Sequence, residues 1–105
     1  MTTTDLIDAF INEAIWSLKK LHRNQREGRM LDRHKPVEID GYTYTCWKEF
    51  AVHGTAEHIL EILPDADVKV ILDGNNSTIE LSMDDEEQQK LNSSLFVFLR
   101  KWGCL

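Results

Sequence analysis

Proline and glycine are scarce in this chain, at two and five residues, and the glycines are scattered. Scattered glycines exclude a phosphate-cradling loop and a dinucleotide fingerprint, both of which need them clustered. No nucleophile-elbow pattern occurs either. The two cysteines, Cys46 and Cys104, have no close spacing of the kind zinc requires. Long apolar runs are missing: the longest, LFVFL over 95–99, falls far short of a membrane span. The start, MTTTDLIDAFINEA, lacks the basic opening and continuous apolar stretch of a secretory signal. The expectation is a cytoplasmic chain with both thiols free.

What is present fits one globular domain over residues 1–105. Hydrophobic residues make up 42% and charged residues 29%, too apolar for disorder and enough for one modest core. The net charge of -6 is unevenly spread. Residues 19–35 carry seven basic and two acidic side chains, whereas residues 36–99 carry thirteen acidic and three basic ones. Charge polarised in this way directs attention to what each part faces.

Periodicity predicts the elements. Leu6, Ile7, Phe10, Ile11, Ala14, Ile15, Leu18 and Leu21 follow a helical repeat, with Thr4 as the expected cap and Gly28 as the expected stop. Residues 28–36 read as a basic loop. VEIDGYTYTCW carries Asp-Gly between two extended segments, a hairpin signal. Its second arm reads as a long strand, because Tyr42, Tyr44, Cys46, Phe50 and Val52 alternate with Thr43, Thr45, Trp47, Glu49 and Ala51. GTAEHILEILPD reads as a short helix closed by Pro64. A second hairpin follows, with Val68, Val70 and Leu72 on one arm, Ile79, Leu81 and Met83 on the other, and DGNNS at the turn. Leu91, Leu95, Phe98 and Trp102 then mark a last helix from about Asp84 to Lys101, with a strand as the rival reading because LFVFL alone does not separate the two. The predicted fold class is α+β: a two-layer domain with a small antiparallel sheet built of two hairpins and three helices, in the order αββαββα.

Chemistry-bearing groups are few. Cys46 alternates with tyrosine and phenylalanine on the presumed core face, which predicts a buried, inert thiol. His53, Glu57, His58 and Glu61 form the best metal constellation, but their spacing matches no strong zinc motif. No metal, no cofactor and no enzymatic activity are therefore expected. Trp16 lies almost opposite the apolar stripe of its helix, among Lys19, Lys20 and Arg23, in the manner of an interface anchor. Trp47 is a second candidate aromatic. Asp84, Asp85, Glu86 and Glu87 form the densest run of one sign. They suit a helix start, where the macrodipole favours carboxylates, but four exceed what a cap needs.

In size and character the chain resembles the small inhibitors that bacteriophages use against host defence nucleases, and the immunity proteins that neutralise bacterial toxins. The resemblance is one of type, carried by no motif. It implies a non-enzymatic partner-binding protein whose acidic face occupies a basic, nucleic-acid-binding surface of another protein. The expected contact residues are Trp16, Lys20, Arg23, Trp47, Glu57, Glu61, Asp84, Asp85, Glu86 and Glu87, with Glu38 and Asp40 adding charge. The alternative is a homodimeric structural or regulatory subunit that pairs through the last helix. A third reading, direct nucleic-acid binding through residues 19–35, meets the objection that the rest of the chain repels a polyanion.

Overall fold

The computed structural model describes residues 2–103; Cys104 lies outside them. The fold is α+β, with four helices and two antiparallel hairpins: α1 (Thr3–His22), α2 (Arg26–Asp32), β1 (Val37–Ile39), β2 (Tyr42–Tyr44), α3 (Trp47–Ile62), β3 (Asp67–Ile71), β4 (Thr78–Ser82) and α4 (Asp85–Lys101). The two hairpins stay separate two-stranded sheets instead of joining into one. No helix among the described residues is long and apolar enough to cross a membrane.

α1 starts two residues earlier than Thr4 would place it. Thr2 is the cap: its hydroxyl accepts the Asp5 N–H at 3.1 Å, and the Asp5 carboxylate accepts the Thr2 N–H at 3.2 Å. Among the three consecutive threonines, only Thr2 sets an acid at the third helical position, so only it completes the reciprocal box.

The expected basic loop is in part a helix. α2 is seven residues long and offers only Met30 and Leu31 as apolar side chains, too few to show a period. Gly28 sits inside it and is buried. A Cβ there would lie 2.1 Å from the His22 carbonyl oxygen, so this glycine lets α2 close against the end of α1.

The first hairpin forms as read. Ile39 pairs with Tyr42 across a two-residue turn, and Asp40 (φ 53°) and Gly41 (φ 85°) both take the positive φ that such a tight turn demands. The long second arm does not form. β2 ends at Tyr44, and α3 begins at Trp47 rather than at Gly54. The buried set Trp47, Ala51, Val52, Thr55, Ala56 and Ile59 steps at helical spacing. The alternation seen in the sequence was a strand followed directly by a helix.

α1, α3 and α4 enclose the main core. Leu6, Ile7, Phe10 and Ile11 meet Ala51, Val52 and Ile59, together with Leu91, Leu95 and Leu99. Burying each of these large side chains contributes about 1.5–3 kcal/mol. Thr3 donates to Asn92 at 2.7 Å, and Phe10 lies 5.2 Å from the Trp102 ring, so α1 and α4 run parallel. Phe10 meets His58 while His22 meets Phe50, so α3 runs against both. Val68, Val70, Ile79 and Leu81 of the second hairpin close one side. A smaller core gathers Leu31, Val37, Tyr44 and Trp47.

Candidate binding surfaces

The residues singled out from the sequence divide into groups that the fold holds apart. Trp47, expected as an exposed aromatic, is a core residue. It is 7% exposed, and its indole N–H donates to Asp32 at 2.7 Å. The change of element explains this, since a helix starting at Trp47 turns its side chain inward where a strand would have turned it out.

His53, Glu57, His58 and Glu61 do not converge. His53 Nδ1 faces the Tyr44 hydroxyl at 2.5 Å, and its Nε2 lies 3.6 Å from Glu57. His58 instead stacks on Phe10, with centroids 4.9 Å apart, and meets the edge of Phe98. Among the described residues no three potential ligands cluster. Burial, and then the charges of Glu57, Tyr42 and Asp40, push the Tyr44 hydroxyl up to about 12. The Tyr44 hydroxyl and His53 Nδ1 share one hydrogen bond, and the other ring nitrogen, Nε2, faces Glu57. The order carboxylate, imidazole, hydroxyl is that of a nucleophile-activating relay. Here the hydroxyl is buried with its residue 2% exposed, and the relay clamps the first hairpin onto α3.

Sequence reading missed Glu49. It is 7% exposed, and one carboxylate oxygen accepts the Thr45 N–H at 2.6 Å and the Thr45 hydroxyl at 2.7 Å. The other accepts the Gly74 N–H at 3.1 Å. Burial alone would raise this carboxyl, but the hydrogen bonds from Thr45 and Gly74 hold it below the ordinary range. Its work is structural: it joins the start of α3 to the turn of the second hairpin. Cys46 is buried at the same helix start.

The acidic run sorts into two pairs. Asp84 accepts the Glu87 N–H at 2.8 Å, and Glu87 accepts the Asp84 N–H at 3.2 Å, completing a capping box. Asp85 and Glu86 are exposed and take no hydrogen bond or ion pair. Asp65, where α3 runs out, lines a shallow hollow with Glu86, Glu87 and Lys90. Thr3 lies level with Gln88, so Asp5 stands near the same end.

The opposite end is basic. Lys19, Lys20, Arg23, Arg26, Arg29, Arg33 and Lys35 are all exposed at the close of α1, on α2 and on the segment after it. Trp16 is 69% exposed and stands one turn before Lys19 and Lys20, with no side chain laid over it. From Thr3 to Arg23 the helix rises about 30 Å at 1.5 Å per residue. Trp16, Lys20 and Arg23 therefore belong together, and Asp84 to Glu87 belong to another end of the molecule. Glu57 and Glu61, both exposed, lie between them along α3. The charged-type contacts among the described residues are the histidine–carboxylate approaches His53–Glu57 and His58–Glu61; no lysine or arginine of these residues lies within 4.0 Å of a carboxylate oxygen.

A third surface is apolar. On the outer side of α4, Phe96 and Val97 are 43% and 63% exposed, beside Leu6, Asn92 and Ser93. The apolar part of α4 is thus split between a buried Leu91, Leu95, Leu99 face and a bare Phe96, Val97 edge. Compared with protein-family models, with curated proteins and with solved structures, the chain matches none.

Proposed function

We propose that this chain is a non-enzymatic, macromolecule-binding protein of the inhibitor or immunity type, whose acidic end docks on a basic, nucleic-acid-processing protein. One observation carries the reading: the charges are segregated, and no lysine or arginine among the described residues is neutralised by a carboxylate. Charge left unpaired at the α4 start is available to a partner, and complementary charge speeds and orients encounter. Asp85 and Glu86 are the contacts that cost the fold least, because Asp84 and Glu87 are committed to the cap.

The test captures partners from the cells that encode the protein, using the wild type and an Asp85→Asn, Glu86→Gln variant. Recovery of a basic nucleic-acid-processing protein by the wild type, lost in the variant and lost steeply as salt rises, supports the reading. Equal recovery by both proteins, or recovery insensitive to salt, overturns the acidic-end mechanism.

The bare Phe96, Val97 edge favours a second reading, a homodimer formed through α4. Sedimentation over a tenfold concentration range separates the two. A constant monomer mass discards the dimer, and a concentration-dependent mass abolished by Val97→Glu supports it.

A further inference from the structure

We infer that the basic end of the molecule, centred on Trp16, is a binding site for single-stranded nucleic acid. The inference is independent of the acidic-end reading, since it uses the other pole.

Proteins that hold single strands without sequence preference need two things: cations that follow the phosphates, and an aromatic face on which a base stacks. Both are present on one surface. Trp16 offers its indole to solvent, 69% exposed on the side of α1 away from the core. Lys19 and Lys20 follow at i+3 and i+4, and Arg23 at i+7, so they flank the indole along the same helix surface. Lys19 also lines a hollow with Lys48, His34 and the single carboxylate of Asp32, and Arg26 and Arg29 are exposed on α2, which follows the end of α1.

Two features favour a nucleic acid over an acidic protein segment. The cations are exposed and none lies within 4.0 Å of a carboxylate oxygen among the described residues, Arg29 meeting only the Asn24 carbonyl, so they are open to phosphates. Trp16, the most exposed aromatic ring of the described residues, lies among them. A duplex keeps its bases stacked inside and cannot offer one to Trp16.

The overall charge of -6 argues against polyanion binding only if the charges act together. They do not at moderate salt. The acidic start of α4 lies about 30 Å from Arg23 along the helices, some three Debye lengths at about 0.1 M salt. Repulsion from that end is screened, while contacts at the basic end are not.

The experiment measures fluorescence anisotropy of labelled oligo-dT and oligo-U of about ten nucleotides, within the usual site sizes for such folds. Wild-type protein is expected to bind both. With four phosphates neutralised, the log–log salt slope is about -3, an affinity loss of about fifty-fold between about 50 and 200 mM salt. Trp16→Ala is expected to weaken binding by about five- to 150-fold, with Trp16→Phe recovering part of it. The thermal midpoint should stay nearly unchanged in both, because Trp16 is largely exposed on the side of α1 away from the core. Replacing Lys19, Lys20 and Arg23 by glutamine should flatten the salt slope by about 2. Asp85→Asn with Glu86→Gln should leave oligonucleotide affinity intact, so failure here and failure of the acidic-end reading fall on different variants.

No binding at about 50 mM salt overturns the proposal. So does binding that Trp16→Ala leaves unchanged. Competition by poly-glutamate as strong as by unlabelled oligonucleotide also overturns it, and assigns the surface to an acidic protein.

Discussion

The carboxylate of Glu49 accepts from Thr45 on one oxygen and from Gly74 on the other, so one side chain holds the entry of α3 and the β3–β4 turn at once. Glu49→Gln replaces one acceptor oxygen by a donor and removes the charge that strengthens these bonds. A loss of about 1–3 kcal/mol is expected, read as a lower urea midpoint. The wild-type carboxyl sits below its ordinary value in the fold. Its contribution is therefore present at neutral pH, above the unfolded value, and is lost as pH falls through the folded one. Stability of the wild type should decline in acid, and Glu49→Gln should flatten that decline. Tyr44 titrates the other way. With its folded value raised to about 12 from 10.0, it favours the fold below pH 10 and ceases to do so as pH rises through 12. Ultraviolet absorbance of phenolate should show a late ionisation step that Tyr44→Phe removes and Tyr42→Phe leaves in place; a late step that survives Tyr44→Phe would contradict its assignment to this buried hydroxyl. Neither role is written plainly in the sequence. Glu49 stands three residues after Cys46, which cannot cap, and four after Thr45, which the carboxylate reaches instead. The capping pattern is offset by one position and so escapes notice.

At the level of elements, α4 carried its start in plain view. An acid at the cap and another three residues on is a pattern set by backbone geometry alone, and Asp84 with Glu87 fulfils it. Asp84→Ala should cost about 0.5–2 kcal/mol in chemical denaturation, whereas Asp85→Asn should stay within about 0.5 kcal/mol of wild type. A reversal of these two would mean that the four carboxylates act as one patch and not as a cap plus a surplus. Both hairpins were equally legible, because Asp-Gly in one turn and the glycine-asparagine run in the other have few alternatives. α2 and the first turns of α3 were not. α2 is shorter than two full turns and packs through Gly28 and Leu31, so its existence depends on the neighbour it closes against. Residues 42–52 satisfied period two by coincidence, until packing of Ala51 and Val52 against α1 decided for the helix.

At the scale of the molecule, the polarity counted along the sequence became polarity in space, because α1 and α4 lie parallel, with acidic starts at one end and basic residues in both last turns. Counting charges could not show this, since the direction of α4 relative to α1 is fixed only by tertiary packing. Trp16 was legible as an off-stripe residue, while Trp47 was not, because its direction changed with its element. The segregation has a chromatographic signature. At neutral pH and low salt the protein should be retained on a cation exchanger despite its charge of -6, and Lys19→Gln with Lys20→Gln and Arg23→Gln should release it. Passage straight through would show that the basic end acts as part of a uniformly negative surface.

The parallel alignment also sets the peptide dipoles of α1 and α4 against the moment of the side-chain charges, since both helices put their positive N-termini at the acidic end, where several full side-chain charges outweigh the half-charge of each helix end. A molecule built this way experiences a torque before it experiences a contact. Near any charged surface it rotates first and arrives with one end already chosen, so the search over orientations that slows most encounters is shortened by the protein's own electric asymmetry.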